Sequence, residues 1–226
     1  MRKFCDVLIR KMPIRWRLGC RNRVYSALGQ LEPELVCVNS ITGGRGRVAI
    51  DAGCNIGHYA YKLSSLFDKV YAFDANFDIT AELEASKKEN IEVIHKGLSE
   101  SSGEAVFYLP VANGGGVLHG WGSLRKDNCP SASNLIETRV GLISLDSLNI
   151  ADVDFIKIDV EGHEVELLAG AINTIRESRP IVLIEIKEVN MVKVSDFFAS
   201  LNYRRLTLMD LVAIQGGEEN FIFIPA

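Results

Sequence analysis

Short apolar runs recur along most of the chain, separated by longer segments in which apolar and polar residues are mixed. The runs are nearly all apolar, as the strands of a parallel sheet covered on both faces must be. We predict strands at 48–50, 70–73, 91–94, 155–158 and 181–184. Helix-length segments lie at about 57–67, 77–88, 163–177 and 191–201. This alternation predicts an α/β protein with a doubly wound sheet.

Two further pairs of strands are predicted outside this alternation. Residues 105–109 and 138–144 predict an inserted β-hairpin, and the intervening segment 110–137, rich in Gly, Ser and Asn, is either a lid or acceptor-binding loop or plain disorder. Its candidate binding residues are His119, Trp121 and Ser123. At the carboxyl end, 203–208 and 221–224 are joined by a short turn-rich link, so the last strand is expected to run antiparallel to the rest.

The composition is that of one soluble domain, with 226 residues of which 47% are hydrophobic. No apolar run approaches the length of a membrane span, and Asp6 and Arg10 interrupt the first run before it could serve as a secretory signal. Five cysteines without a Cys-x-x-Cys pair argue against a disulfide scaffold or a zinc ribbon. We therefore expect a cytoplasmic protein.

Positive charge is concentrated at the amino end. Residues 1–47 contain ten Lys or Arg and three acids, whereas the remainder contains fifteen and twenty-six. An acidic main body lacks the electrostatic footprint of a nucleic-acid-binding protein. We predict a basic helical arm over 1–47 and a separate domain over 48–226. The arm could cap the fold, cover the active site, lie on an anionic membrane or pair with a second copy of the chain.

A glycine-containing turn follows the first predicted strand. Asp51 ends that strand, and Gly53 and Gly57 allow a turn into a helix whose amides point at a ligand. Asp74 ends the second strand, where a carboxylate can bind a ribose diol. The Asp-x-Gly-x-x-x-Gly spacing differs from the dinucleotide pattern, and an acid at this turn favours a cationic or amine-bearing ligand such as S-adenosylmethionine. An empty, purely structural turn is the alternative.

A second acidic segment follows the strand at 155–158. Asp159, Glu161 and His163 come directly after it, and the carboxyl ends of parallel strands line the ligand crevice in such sheets. We expect these residues near Asp51 and Asp74. Their structural alternatives are a helix cap for Asp159 and a solvated surface position for His163. Lys157, inside the strand, is expected to pair with Asp51 or Asp159.

The run Asp154-Phe-Ile-Lys-Ile-Asp-Val-Glu-Gly-His-Glu164, with Leu167–Gly170 and Arg179–Glu185, resembles FkbM-type S-adenosylmethionine-dependent methyltransferases over about residues 46–188. The resemblance implies a Rossmann-like seven-stranded sheet and methyl transfer to a hydroxyl of a sugar, a glycolipid or polysaccharide precursor, or a secondary metabolite. The sequence departs from the family at Asp74-Ala75-Asn76, where Glu-Pro is common, and at Lys96–Ser99. The candidate cofactor-binding residues are Asp51, Gly53, Asn55, Gly57, Asp74 and Leu98.

Methyl transfer to a hydroxyl requires alignment of the reactants and benefits from a general base. The candidate catalytic residues are Asp159, Glu161 and His163. No metal is assigned, but a divalent cation held by Asp159, Glu161 and Glu185 is an alternative way to activate the acceptor. Two other functions stay open: a nicotinamide-dependent oxidoreductase, and a module that binds the cofactor without turnover.

Overall fold

The computed structural model describes residues 2–86, 88–112, 114–129 and 134–226. Its strands are β1 Gly46–Ala52, β2 Phe67–Phe73, β3 Ile91–Ile94, β4 Gly97–Leu98, β5 Gly103–Val111, β6 Asn134–Ile143, β7 Val153–Ile158, β8 Ile181–Glu185, β9 Tyr203–Leu206 and β10 Asn220–Pro225. Its α-helices are α1 Arg2–Arg10, α2 Ile14–Ala27, α3 Pro33–Val36, α4 Val38–Ile41, α5 His58–Leu63, α6 Ala81–Ser86, α7 Glu164–Ala169, α8 Ile172–Ser178, α9 Met191–Ser200 and α10 Leu208–Val212.

Seven strands form the main sheet in the order β3-β2-β1-β7-β8-β10-β9. All five strands predicted from the apolar runs lie in it. The pairs within β3-β2-β1-β7-β8 are parallel, whereas β10 is antiparallel to both of its neighbours, which confirms the prediction for the last strand. The order reverses at β1, so the carboxyl ends of β1 and β7 lie at a topological switch point.

The sheet is covered on both faces by apolar side chains. One cluster contains Ile50, Ile156 and Val182 with α7, α8 and α9 residues, and the other contains Ala49, Phe155 and residues of α5 and the amino-terminal helices. The strand residues at the centre are completely buried. Two-sided burial explains why these strands are continuous apolar runs rather than alternating ones.

The inserted hairpin is present and longer than predicted. β5 and β6 pair antiparallel from Gly103 with Leu142 to Val111 with Asn134, and two residues of β4 extend them to a small second sheet. β4 was not predicted, because two residues give no periodic signal. Part of the predicted loop, residues 113 and 130–133, lies outside the described residues.

Three predicted helices have different bounds in the structure. In the segment 77–88 the α-helix α6 covers only Ala81–Ser86, and residue 87 lies outside the described residues. The segment 57–67 contains only α5, because β2 begins at Phe67. The predicted helix at 163–177 is divided into α7 and α8 around Gly170, where a Cβ would lie 2.0 Å from the carbonyl oxygen of Ser99. The close approach of that backbone separates two helices that share one apolar stripe.

Residues 2–41 contain four helices that precede the sheet. In α2 the buried side chains are Leu18, Arg21 and Tyr25. Arg21 binds Glu82 of α6, which attaches α2 to the main domain. The division into an arm over 1–47 and a domain over 48–226 stays a prediction. No helix in the described part of the chain has the length and apolar character needed to cross a bilayer.

Candidate functional site

The turn after β1 is shaped by close contacts within the protein. Gly53 has φ +78°, and a Cβ there would lie 1.8 Å from the carbonyl oxygen of Asp159, at the end of β7. Gly57 is the amino-terminal cap residue of α5 with φ +93°, and a Cβ there would lie 2.6 Å from the side chain of Leu83. Both positions therefore require glycine, and the turn can approach β7 closely.

Asp51 lies beneath this turn rather than in the cleft. Its carboxylate is buried and accepts a hydrogen bond of 2.8 Å from the amide of Ala60, in the first turn of α5. Burial raises the pKa of Asp51 to about 7, although Lys157 and the Ala60 amide act in the opposite direction. The structure thus gives Asp51 a role in holding α5 onto β1, and its direct contact with a cofactor stays a prediction.

Asp74, at the end of β2, faces the cleft. One carboxylate oxygen accepts a hydrogen bond of 2.8 Å from the amide of Asn55, and the other accepts one of 2.8 Å from the amide of Asn76. Burial raises the pKa of Asp74 to about 6, against the effect of these two amides. Each oxygen keeps a lone pair for a hydroxyl donor. Asn55 itself has φ +53°, and its side-chain oxygen accepts from the amide of Ile56.

An apolar wall lies beside Asp74. It is formed by Phe73, Ala75, Ile79 and Leu98. Leu98 is buried in β4 and pairs with Ile143 of β6. The combination of an apolar wall and a carboxylate at a strand end suits a flat base attached to a ribose. Ala75 and Leu98 belong to the two segments in which the sequence departs from the family pattern, and both line this cleft.

The turn after β7 has an unusual backbone. Glu161 has φ +49° and Gly162 φ +93°, so a residue with a side chain adopts the left-handed region. The carbonyl oxygen of Glu161 accepts hydrogen bonds from Ser123, at 2.8 Å, and from Asn128, both in the inserted loop. These contacts hold the backbone of this residue in a conformation that costs free energy, and Glu161 lines the cleft.

Glu164 stabilises the same turn from the other side. Its buried carboxylate accepts the amide of Gly162 at 2.7 Å and a hydrogen bond from the side chain of Asn190. His163 is the amino-terminal cap residue of α7 and makes no side-chain cap bond. The acid that accepts a backbone amide at the start of this helix is therefore Glu164. Asp159 does not cap α7, which was the structural alternative for that residue. Asp159 stays available to the cleft.

Lys157 is a buried cation between several acids. Its Nζ atom lies 3.4 Å from Asp159 Oδ2, which agrees with the predicted pairing, and 5.1 Å from the centre of the Tyr59 ring. Burial alone would lower the pKa of Lys157, but the carboxylates of Asp159, Glu32 and Asp51 raise it above its ordinary value. The positive charge of Lys157 orients Asp159 and compensates for the negative charges of Glu32 and Asp51.

Three carboxylates lie close together, and two of them, Asp159 and Glu161, line the cleft. Oxygens of Asp159, Glu161 and Glu185 lie within 4.8 Å of one another, a spacing that could hold a divalent cation. The ammonium of Lys187 already lies 3.3 Å from Glu161 and 2.7 Å from Glu185. Burial and the neighbouring Asp159 raise the pKa of Glu161, whereas Lys187 lowers it. Lys187 therefore provides a positive charge beside this group of carboxylates.

His163 lines the cleft, but both of its ring nitrogens have protein neighbours. Nε2 lies 2.9 Å from the hydroxyl of Ser99, and Nδ1 lies 3.6 Å from a carboxylate oxygen of Glu166. Glu166 in turn binds Arg125 of the inserted loop. Burial lowers the pKa of His163. These contacts hold the ring in place.

One cleft brings together most of the predicted site. It is lined by eight of those residues or their immediate loop partners, namely Gly53, Asn55, Asp74, Leu98, Asp159, Glu161, His163 and His119. Asp51 and Gly57 do not line it. Trp121 is exposed outside the lining, and Ser123 acts through the carbonyl of Glu161. These side-chain placements do not test the predicted roles, which stay predictions.

Sequence reasoning missed several residues that shape the cleft. Asn76 donates to the carbonyl oxygen of His119 at 3.4 Å and so holds the inserted loop against the end of β2. Ser99 positions His163, Lys187 neutralises the acid cluster, and Lys96 adds a cation to the lining. Ser99, Lys187 and Lys96 lie in no recognisable pattern, since each reaches the site from a separate loop. Only the position of Asn76, two residues after Asp74, was a local signal.

Comparisons of the sequence and the structure with known proteins find methyltransferases. A family model described as the methyltransferase FkbM domain matches residues 51–205. The hexuronic acid methyltransferase AglP of Haloferax volcanii is 33% identical over 141 residues, which cover 60% of this chain and 54% of that protein. The chain thus spans about half the length of this curated relative.

Two solved structures show the same fold at low sequence identity. Methyltransferase FkbM from Methylobacillus flagellatus KT is 15% identical, with a TM-score of 0.55 over 92% of this chain and 52% of the other. A Streptococcus mutans protein solved in complex with SAH is 14% identical, with a TM-score of 0.50 over 87% of this chain and 99% of the other. The seven-stranded α/β architecture predicted from the sequence is confirmed.

Proposed function

Since the chain belongs to the FkbM methyltransferase family, we propose that it transfers the methyl group of S-adenosylmethionine to an oxygen of a carbohydrate. The observation that carries this proposal is the single cleft that joins the ends of β1 and β2 to the acidic turn after β7. One part of this cleft suits a nucleoside, and the other offers proton acceptors for a hydroxyl.

The residues of the first part fit the proposed cofactor. Asp74 presents a half-buried carboxylate with free lone pairs to a ribose diol, and Phe73, Ile79 and Leu98 provide an apolar wall for adenine. The acids Asp74 and Asp159 give this end of the cleft a negative character that suits a sulfonium better than a pyrophosphate. When bound, S-adenosylmethionine supplies an electrophilic methyl group. A relative in fold is known in complex with SAH, the form left after methyl donation.

The residues of the second part would accept the proton of the acceptor. Glu161 is the stronger candidate because its pKa is raised, which brings a carboxylate nearer to the basicity that a general base needs. Asp159 is held by Lys157 and would share this role by orienting the hydroxyl. His163, with its ring between Ser99 and Glu166, forms part of the wall and positions neighbouring groups.

The acceptor class rests on the sequence relative and on one feature of the cleft. The relative is named for methylation of a hexuronic acid, and an acidic sugar carries a carboxylate that a cation can bind. Lys96 lines the cleft and is the cation we assign to that group. We therefore propose an acidic sugar, free or within a larger glycan, as the acceptor.

The test is transfer of labelled methyl from S-adenosylmethionine to a uronic acid, with the matching neutral hexose as comparison. We expect Glu161→Gln to reduce turnover by about a hundredfold or more. Glu219→Gln is the matched control, because Glu219 also binds Lys187, at 3.0 Å, but does not line the cleft. Equal loss in both variants, or full turnover in Glu161→Gln, would contradict the assignment of the base.

Chelation separates the two ways of activating the acceptor. Because Lys187 already supplies positive charge to Glu161 and Glu185, we expect turnover to survive EDTA. Loss on chelation and recovery with Mg²⁺ would support the cation alternative instead. Transfer of hydride to or from a nicotinamide cofactor, with no methyl transfer, would favour the oxidoreductase.

A further inference from the structure

The first helix presents apolar side chains to solvent. Phe4, Val7 and Leu8 follow the spacing of one helix face, and they are 68%, 54% and 50% exposed. The other side of α1 carries Ile9, which is buried, and Asp6, which binds Tyr25 of α2. α1 is therefore amphipathic with its apolar face directed outward, the reverse of a helix that packs on a core.

Exposed apolar side chains also occur at the start of α2 and in α3. Of the fourteen large apolar side chains that are exposed among the described residues, six lie before residue 37: Phe4, Val7, Leu8, Ile14, Trp16 and Val36. A concentration of exposed apolar side chains in one segment favours an interaction surface, whereas isolated apolar residues on a surface are ordinary. Arg15 lies over the Trp16 ring, with its guanidinium carbon 4.9 Å from the ring centre.

The acids of this segment have partners within the protein. Asp6 accepts from Tyr25 and lies 3.6 Å from Arg21, and Glu34 is buried with a hydrogen bond from the amide of Gly217. Glu32, the third acid before residue 48, accepts from Tyr59 at 3.0 Å. The outer surface of the segment is therefore left with cations and apolar groups.

Several cations accompany the apolar stripe without a carboxylate partner in the part of the chain that the structure describes. These are Arg10, Lys11, Arg15 and Arg23. Lys11 extends the outward face of α1 by one turn after Leu8, and Arg10 lies beside it. An apolar stripe flanked by unpaired cations matches the boundary between the acyl chains and the headgroups of an anionic bilayer.

We propose that the outward face of α1, with the start of α2, binds the surface of an anionic lipid bilayer. Phe4, Val7 and Leu8 enter the boundary of the acyl region, Trp16 lies at headgroup level, and Arg10 and Lys11 contact lipid phosphates. The helices lie on the bilayer and do not cross it. This surface is distinct from the cleft, so the proposal holds whichever acceptor the enzyme uses.

The experiment is co-sedimentation of the full chain with phosphatidylcholine vesicles that contain or lack phosphatidylglycerol. We expect binding to the anionic vesicles alone, and a loss of at least about tenfold in affinity for Phe4→Ser/Leu8→Ser. Arg10→Gln/Lys11→Gln should weaken binding and reduce its dependence on salt. The matched control is Val189→Ser/Val192→Ser, which removes apolar side chains that are 76% and 71% exposed far along the chain and should leave binding unchanged.

Fluorescence gives a second readout. The chain has two tryptophans, so in a Trp121→Phe background the emission reports on Trp16 and should shift to the blue with anionic vesicles. Failure to bind anionic vesicles, or equal binding by the Phe4/Leu8 variant with an unchanged melting temperature, would overturn the proposal. So would a concentration-dependent dimer that this variant dissociates while vesicles have no effect, because a second copy would then cover the face.

Discussion

Replacing Asp51 with Asn tests the role that the structure gives to this buried acid. The side chain keeps an oxygen that can accept the amide of Ala60, so the attachment of α5 to β1 should survive. What changes is the ionisable group, whose pKa is raised to about 7 by burial from an ordinary value of 3.8. The folded protein therefore holds this proton more tightly than the unfolded chain does.

The sign and size of the effect follow from this pKa. Stability that depends on protonated Asp51 is fully present below pH 3.8 and is lost as the pH rises through about 7. The two pKa values correspond to a free-energy difference of about 4 kcal/mol. In Asp51→Asn this loss is absent, so its free energy of unfolding relative to the wild type should rise by up to about 4 kcal/mol between about pH 4 and pH 8.

Urea unfolding of both proteins across this pH range provides the measurement, and only the difference between the two profiles is used. The control is Asp210→Asn. Hydrogen bonds from Thr207 lower the pKa of the exposed Asp210 below its ordinary value of 3.8, so its pH dependence lies in the acid range and its difference profile should stay nearly flat above about pH 5. Parallel profiles for wild type and Asp51→Asn would contradict a raised pKa of Asp51, because this group would then have the same pKa in the folded and unfolded chains.

Three further results are expected. Gly53→Ala should lower the free energy of unfolding by at least about 2 kcal/mol in urea titrations, because its Cβ would lie 1.8 Å from the carbonyl oxygen of Asp159; near-wild-type stability would contradict this. Affinity for S-adenosylmethionine, measured by calorimetry, should fall as the pH drops through about 6 and Asp74 loses its charge; a flat profile would count against ribose binding by Asp74. Lys187→Met should raise the pKa of Glu161 and so move the acid limb of the pH–rate profile to higher pH, and an unmoved limb would exclude Glu161 as the base.

The main sheet could be predicted from the sequence because its strands are buried on both faces. Runs such as Ile181–Ile184 carry a signal that depends only on local composition. The break between α7 and α8 could not be predicted, since it results from the contact between Gly170 and the backbone of Ser99, which is distant in sequence. The helical spacing of apolar residues continues across Gly170, so the sequence alone does not indicate the break.

The candidate site was predictable where chemistry follows directly on a strand. Asp74, Asp159 and Glu161 reach one cleft because carboxyl ends of parallel strands share an edge. Asp51 follows the same rule, yet its side chain points into the protein and binds α5. Sequence position places a residue at an edge, but the direction of its side chain depends on packing. Lys187 shows the other limit, because its three carboxylate partners come from separate segments.

The most direct test of the proposed cofactor site is calorimetric titration of the full chain with S-adenosylmethionine and, separately, with NAD. We expect saturable binding of S-adenosylmethionine at one site per chain, weakened about tenfold or more in Asp74→Ala through loss of hydrogen bonds to a charged group, and no binding of NAD. Saturable binding of NAD with none of S-adenosylmethionine, or an affinity for S-adenosylmethionine that Asp74→Ala leaves unchanged, would contradict it.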